Sequence, residues 1–304
     1  MSVTKHQSDI DIALIAALFA GNHDLAGYVL EQGANPNATG VSDIGVFTPA
    51  LELSLYQPAD VRFKLIKALM ARGADPNACA IPDDAKRYSK ASPFLRACMR
   101  QDEISAGAML DSLGPIKVDL LARDQFGWTP SMAAIESSPA FLSKMQSFFE
   151  RETMPSRPEL GRDHLWSCLD HEGRNSSMLC INMPTSLQWL SSQDYIDFTK
   201  LINTKEARSG ETALWAAARK HNQSSVDFLL RHGADATIVN SKGESLLSYL
   251  ENECGSSYQN NRHLLPLKVS IKDCVKAAAS AQMAMASIEE MLCKVIHRGQ
   301  KVAS

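Results

Sequence analysis

The amino-acid sequence predicts an all-α solenoid of stacked helical repeats, joined by short β-hairpin loops. One observation is a phrase, Gly-Glu-Thr/Ser-x-Leu, which occurs at Gly210 and again thirty-three residues later at Gly243. A second is a recurring segment end, which reads "VLEQGANPNA" at 29–38 and "LMARGADPNA" at 69–78. A fixed period of this length is typical of an array in which each unit covers the apolar face of its neighbour.

The beginnings of the units recur as well, and the whole unit resembles the ankyrin repeat. First helices are predicted to begin in "FTPALELS" (47–54), "DQFGWTPSMAA" (124–134) and "GETALWAA" (210–217), with a looser copy in "SPFLRACMRQDE" (92–103). The ankyrin unit has a Thr-Pro-Leu start to its first helix, then a second helix and a Gly-Ala-Asp end. The resemblance implies β-hairpin finger loops and a concave face that binds other proteins.

Each part of the repeated phrase has a physical reason. Thr at the start of the first helix is expected to cap the exposed amides, and the following Pro has the φ of a first helical turn. Small alanines let neighbouring first helices approach closely, and a Gly after the second helix is expected to be left-handed. Trp215 occupies the position where the ankyrin pattern usually has His, and we expect it to fill the core.

The pattern divides the chain into three parts. We expect an ankyrin array over 8–250, irregular at 151–204, where one degenerate repeat is predicted. A polar linker is expected over 251–270, and a helix over 271–298. This helix has apolar positions spaced alternately by three and four residues, namely Ile271, Cys274, Ala278, Ala281, Met285, Ile288, Leu292 and Val295. Such a face predicts a C-terminal capping helix that packs on the array, with homodimerisation as the alternative.

Composition excludes several functional classes. The formal net charge of −3 over 304 residues gives no basic excess for nucleic acid, and no apolar run reaches the length of a membrane span. Seven cysteines without a Cys-x-x-Cys pair indicate free thiols in a reducing compartment. We therefore expect a cytoplasmic protein, or one in the host cytosol if it is a secreted effector, with no nucleic acid or membrane partner.

A small group of candidate chemical residues lies in the irregular segment. On a helix, His164, Cys168 and His171 would share one face, with Cys180 nearby, at a spacing that suits zinc ligands. The same residues could form a Cys-His nucleophilic pair oriented by Asp170, or simply belong to a packed helix. We predict the last of these, and therefore no metal, no cofactor, no catalytic residue and no enzyme activity. The alternative is a hydrolase or metal-dependent enzyme with its site in 151–204.

The resemblance implies a protein-binding module that blocks, sequesters or bridges a partner protein. Its irregular repeats resemble those of bacterial proteins, which favours an effector in a host cell or a toxin inhibitor. We expect a monomer rather than a homodimer. Finger and first-helix positions predict the partner-binding residues, which are Phe47, Tyr88, Phe126, Trp128, Glu211, Arg219, Lys220 and His221.

Overall fold

The protein is mostly helical, with three short strands, in the part of the chain that its structure describes. The structure, a computed structural model, describes residues 8–41, 46–79, 81–82, 91–255 and 268–277. The chain divides into two compact units, Met1–Ile196 and Asp197–Ser304, and we describe each by itself.

The first unit stacks helix–turn–helix pairs in two layers. First helices contact first helices of the adjacent pair, and second helices contact second helices, so each pair covers its neighbour. The first helices are α1 (Asp9–Phe19), α3 (Ala50–Ser54), α5 (Pro93–Met99), α7 (Pro130–Ala134) and α10 (Ser176–Leu179). The second helices are α2 (His23–Glu31), α4 (Ala59–Ala71), α6 (Glu103–Leu110), α8 (Pro139–Phe148) and α11 (Pro184–Ser191). Between α8 and α10 the chain forms a π-helical turn (Phe149–Thr153), a 3-10 turn (Met154–Ser156) and the short helix α9 (His164–Ser167).

Two long loops of the first unit contribute strands to one antiparallel sheet. Its strands are β1 (Thr39–Val41), β2 (Val46–Pro49) and β3 (Ile81–Pro82), with β2 in the centre. Gly40 allows β1 to approach α1, because a Cβ there would lie 2.5 Å from Cγ2 of Ile15. The enlarged fingers are therefore joined to each other and to the first helix.

Polar residues begin two first helices as the sequence predicts. The hydroxyl of Ser92 accepts a hydrogen bond from the Leu95 amide, and that of Thr129 accepts one from the Met132 amide; a Pro follows each cap. The prediction of a capping bond is wrong at Thr212, whose buried hydroxyl has no hydrogen-bond partner in the described structure. There the main chain alone begins the helix, because the Thr212 carbonyl accepts the Ala216 amide.

An asparagine that follows each Gly-Ala-x-Pro end joins one repeat to the next. Oδ1 of Asn37 accepts the Asp75 amide at 2.7 Å, and its Nδ2 donates to the Gly73 carbonyl at 2.9 Å. Gly73 is left-handed, as predicted, with φ of 90°. Asn77 makes the same two bonds one repeat further along the chain. The Asn of the repeated phrase thus forms an inter-repeat ladder of side-chain to main-chain hydrogen bonds.

Ion pairs join the second helix pair to the third. Glu52 of α3 contacts Arg96 of α5 at 2.6 Å, and Arg62 of α4 contacts Asp102 at 3.2 Å. Burial raises the pKa of Glu52, an effect that the Arg96 guanidinium opposes. Removing one partner of such a pair would leave a poorly solvated charge, so these contacts specify which helices are neighbours.

A buried amide holds the irregular segment between α8 and α10. Oε1 of Gln146 accepts the Trp166 indole N–H at 2.8 Å, and its Nε2 donates to the Arg162 carbonyl at 3.0 Å. Trp166 is fully buried and packs edge-on against Trp189 of α11, with 4.9 Å between ring centroids. The segment is therefore packed against the second helices, although its sequence lacks the ankyrin phrase.

The second unit repeats the same architecture on a smaller scale. Its helices are α12 (Phe198–Asn203), α13 (Ala213–Arg219), α14 (Gln223–Arg231), α15 (Leu246–Gly255) and a helical segment over 268–277. Trp215 is 2% exposed and donates its indole N–H to the Ile238 carbonyl at 3.1 Å, which confirms the core prediction. Asn203 makes the same two bonds as Asn37 and Asn77: its Nδ2 donates to the Gly233 carbonyl, and its Oδ1 accepts the Asp235 amide.

The end of the described chain packs on α14. Ser270 lies within hydrogen-bond distance of Gln223 Nε2 and Asp227 Oδ1, and Ile271 is fully buried. Helix α15 extends to Gly255, five residues beyond the predicted array end, and the described helical segment 268–277 includes the last three residues of the predicted linker. Residues 278–298 of the predicted capping helix lie outside the described residues, and its role as a cap stays a prediction.

We predict that Asn77→Ala lowers the free energy of unfolding by about 1–2 kcal/mol, because two inter-repeat hydrogen bonds are lost. These are the bonds to the Lys117 carbonyl and from the Asp119 amide, both 2.8 Å long. Urea denaturation followed by circular dichroism measures the change. Gln188→Ala, at an exposed position of α11, is the control and should stay within about 0.5 kcal/mol of wild type. Equal stability of the two variants would show that the ladder contributes nothing.

Candidate protein-binding surface

The finger at 124–128 is a tight hairpin built around one carboxylate. Oδ1 of Asp124 accepts the amides of Phe126 and Trp128 at 2.8 and 2.9 Å, and its own amide donates to the Trp128 carbonyl. Gly127 supplies the left-handed residue of the turn, with φ of 80°. The side chain of Phe126 is 57% exposed on this fixed backbone.

The same hairpin occurs inside the segment that we expected to be degenerate. Oδ1 of Asp170 accepts the amides of Glu172 and Arg174, both at 2.9 Å, and Gly173 is left-handed. Sequence reasoning missed this finger, although "DHEGRN" at 170–175 has Asp and Gly at the same spacing as "DQFGWT" at 124–129. Asn stands where the pattern has Thr, and Asn175 caps α10 in the way that Thr129 caps α7.

Neighbouring fingers are joined through their main chains. The His171 amide donates to the Phe126 carbonyl at 3.0 Å. Gly127 permits this contact, because a Cβ there would lie 2.7 Å from the His171 nitrogen. In the second unit the Ser241 amide donates to the Ser209 carbonyl at 2.7 Å, next to Gly210. Each finger is therefore held by its own turn and by the next finger.

The predicted finger residues of the first unit occupy different environments. Phe47 lies at the centre of β2, paired with Val41 and Ile81, and its side chain lies outside the described residues, as does all of Tyr88. Phe126 is at a hairpin tip, whereas Trp128 is half-buried. Of these, Phe126 is the one that the structure places at the surface as a large apolar side chain.

The predicted residues of the second unit include an ion pair. Glu211 of the finger accepts Arg219 Nη1 at 2.8 Å, and this carboxylate is the main cause of the raised pKa of Arg219. Lys220 and His221 follow directly after α13, and both are exposed. His221 has φ of 56°, a left-handed conformation that is uncommon for residues other than glycine.

Comparison with known proteins agrees with this geometry. The family described as "Ankyrin repeat" matches residues 209–241, which include the Gly210 finger and the pair α13 and α14. The fold matches the crystal structure of the ankyrin repeat domain of Bcl-3, described as a unique member of the IkappaB protein family. The TM-score is 0.54 at 21% identity, over 78% of this chain and 92% of that one. The chain therefore has the fold of an ankyrin-repeat array, and residues 209–241 match the ankyrin repeat itself. No curated protein sequence matches it.

The ankyrin fold assigns structural roles to the candidate chemical residues. Helix α9 ends at Ser167, and Cys168 has ψ of 145°, so the helical face that would bring His164, Cys168 and His171 together does not form. His171 and Asp170 belong to a finger. The Cys168 thiol donates to the His164 carbonyl, and burial raises its pKa, which is the opposite of what a nucleophilic thiolate requires.

The described residues form neither a metal-binding cluster nor a membrane-spanning helix. No group of three or more His, Cys, Asp or Glu side chains there is arranged to hold a metal ion. No helix in the described ranges is both long and apolar enough to cross a bilayer. The ankyrin fold itself is typical of a non-enzymatic interaction scaffold.

We predict that Gly210→Ala destabilises the protein more than Gly243→Ala. Both glycines are left-handed, with φ of 68° and 74°, so each substitution should cost about 1 kcal/mol from backbone strain. A Cβ at Gly210 would also lie 2.7 Å from the Ser241 amide nitrogen, whereas Gly243 has open space. Thermal melts of the two variants measure the difference. Equal melting temperatures would show that the contact between the fingers adjusts to a Cβ at Gly210 without loss of stability.

We also predict the order in which the thiols react with iodoacetamide at neutral pH. Cys79 is exposed and should be alkylated in the native protein, whereas the buried Cys98, Cys168 and Cys180 should react only after unfolding. Burial raises the pKa of all three buried thiols. Peptide mass spectrometry measures the order. Faster labelling of Cys168 than of Cys79 would contradict this order and would support a nucleophilic role for Cys168.

Proposed function

We propose that this protein binds a partner protein through its fingers and the adjoining ends of its first helices. The binding residues are those that the sequence predicts, and they are Phe47, Tyr88, Phe126 and Trp128 in the first unit and Glu211, Arg219, Lys220 and His221 in the second. Each unit has its own set of binding residues.

The main support for this proposal is the exposure of the Phe126 ring on a fixed backbone. Its ring is 57% exposed, while its backbone is fixed by Asp124 within the hairpin and by His171 from the next finger. A large aromatic side chain on a rigid loop loses little entropy when it binds, and such residues dominate the energetics of many interfaces. Packing of the array does not require an exposed phenyl ring, so binding is the better explanation of its position.

The second unit supports the same function with charged groups. Arg219 is oriented by Glu211, so its guanidinium is held in place before a partner arrives. His221 presents an exposed imidazole from the left-handed position of the repeat turn, which Gly21 and Gln101 occupy after α1 and α5. The repeat fixes the backbone of this turn, so the side chain is displayed on a rigid support, as a binding residue requires.

The proposed mode of action is occupation of the partner's surface. An interaction scaffold acts by blocking, sequestering or bridging its partner, and we propose that this one does so as a monomer in the cytoplasm. The corresponding biological roles are a bacterial effector in a host cell or an inhibitor of a toxin. The similarity in fold to Bcl-3 supports the interaction scaffold and, at 21% identity, names no partner.

The hydrolase or metal-dependent alternative in 151–204 has no comparable support. Among its candidate residues Asp170 and His171 lie in a finger, and His164 is half-buried at the start of α9. The thiols of Cys168 and Cys180 are deactivated by burial, which raises their pKa. We therefore do not propose a catalytic function.

We predict that Phe126→Ala weakens binding of the captured partner by about 2 kcal/mol or more. The partner is first isolated by affinity capture and cross-linking in cells, then purified and titrated by calorimetry. Tyr28→Ala is the matched control, because Tyr28 is also 57% exposed but lies on the second helix α2. Trp128→Ala should lose less affinity than Phe126→Ala, since its ring is half-buried. Thermal melts first verify that each variant is folded at the temperature of the titration. Unchanged binding by well-folded Phe126→Ala would place the interface elsewhere.

A further inference from the structure

A surface pocket lies at the turns of the first two helix pairs. It has a volume of about 470 Å³ and is lined by Phe19 at the end of α1, by Ala20 and Gly21 after it, and by Tyr56, Gln57 and neighbouring apolar residues. Phe19 and Tyr56 are 52% and 54% exposed, so two aromatic rings border an opening to solvent. The volume is within the range of pockets that bind small ligands or single side chains.

The Phe19 ring is supported from the side of the sheet. A Cβ on Gly40 of β1 would lie 2.7 Å from Cε2 of Phe19, which shows how closely the strand covers the ring. Phe19 is therefore packed against β1 on one part of its surface and exposed to the pocket on another. A wall that is positioned before binding reduces the entropy lost when a ligand is bound.

Gln57 gives the pocket a hydrogen-bond acceptor. This residue is 9% exposed, and its Nε2 donates to the carbonyls of Leu18 and Leu53, at 2.8 and 3.4 Å. These two bonds fix the orientation of the amide, so Oε1 is the atom left to face the pocket. It lies 3.8 Å from the position of a Cβ on Gly21, and no donor among the described residues bonds it. An acceptor that opens to the pocket and has no donor from the described residues can accept an N–H or O–H from a ligand there.

Arg100 adds positive charge at the edge of the pocket. Its guanidinium lies over the Tyr56 ring, with 4.9 Å to the ring centroid. No carboxylate in the described part of the chain is within ion-pair distance of it. A cationic ligand is disfavoured beside this group, whereas a carboxylate next to the inserted side chain would pair with it.

We propose that this pocket binds a tryptophan side chain of an acidic segment in the partner protein. The indole ring lies against Phe19 and Tyr56, its N–H donates to Oε1 of Gln57, and a neighbouring Asp or Glu of the segment pairs with Arg100. Tryptophan matches the site because its indole nitrogen only donates, as the lone acceptor requires, and because aromatic rings pack well together. The inference rests on the proposed function, since the segment belongs to the bound protein.

The experiment uses a synthetic peptide and needs no identified partner. Acetylated and amidated Ser-Asp-Trp-Asp-Ser is titrated into the ¹⁵N-labelled full chain, and amide chemical shifts locate the binding. We expect shifts at residues around 18–21 and 53–58. The same peptide with 1-methyltryptophan removes the donor without altering the protein, and we expect it to bind about fivefold to tenfold more weakly. A Ser-Lys-Trp-Lys-Ser peptide should bind more weakly still, because of Arg100.

Protein variants provide the second arm of the test. Tyr56→Ala should weaken binding of the acidic peptide by about tenfold or more, while Tyr28→Ala, at an equally exposed aromatic position, should leave it unchanged. Arg100→Gln should remove the preference for the acidic over the lysine peptide. Native-like amide spectra verify that each variant is folded.

Three results would overturn the inference. They are the absence of shifts around the pocket at millimolar peptide, equal binding of the 1-methyltryptophan peptide, and equal binding by Tyr56→Ala. Shifts confined to Phe126 or to residues 211–221 would also reject this pocket, yet would agree with the proposed function. Failure of the function itself is decided separately by the Phe126→Ala titration with the captured partner.

Discussion

Hydrogen bonds from the side chains of one repeat to the main chain of the next are the interaction on which this structure depends. A helix pair of this size cannot bury its own apolar face, so its stability comes from contact with neighbours. Apolar contact alone does not define a register, because it has no direction. The asparagine ladder does define one, since an amide that both donates and accepts fits only one alignment of two loops. Asn37 and Asn77 make these paired bonds in the first unit, and Asn203 makes them in the second.

The fingers apply the same principle on the side of the array that we propose for binding. In the first unit Asp124 and Asp170 each accept two main-chain amides, and in the second Asn240 does the same with Lys242 and Glu244. A neutral amide oxygen replaces a carboxylate without loss of the turn, so the turn requires an acceptor at this position and not a charge. The side chains at the tips are then free to vary, which separates the residues that build the surface from those that select a partner.

Local features of the fold were accessible from the sequence, whereas pairings between distant segments were not. The Gly-Ala-Asx ends, the Pro-initiated helices and the core position of Trp215 follow from the repeated phrase, because each depends on neighbours at fixed spacing. The sheet of β1, β2 and β3 joins two loops of unusual length, and no local pattern predicts which strand pairs with which. The finger at Asp170 was not predicted, because Asn175 replaces the expected Thr. The spacing from Asp170 to Gly173 is the same as that from Asp124 to Gly127, and this shared spacing identifies the finger. For the candidate site, the sequence pointed to Phe126 but could not separate it from Trp128, since burial depends on the finger next to it.

The central strand β2 has a consequence for the order in which the array assembles. Most contacts of a repeat array join segments close in sequence, so folding can begin in many places and spread to adjacent repeats. Strand β2 pairs with β1 on one side and, across α3 and α4, with β3 on the other. This pairing spans about one repeat, so it adds a main-chain link between two fingers to the contacts that the helices and the asparagine ladder already make between adjacent repeats. The first three helix pairs are therefore expected to fold and unfold as one cooperative block, in contrast to the repeat-by-repeat fraying of a regular array.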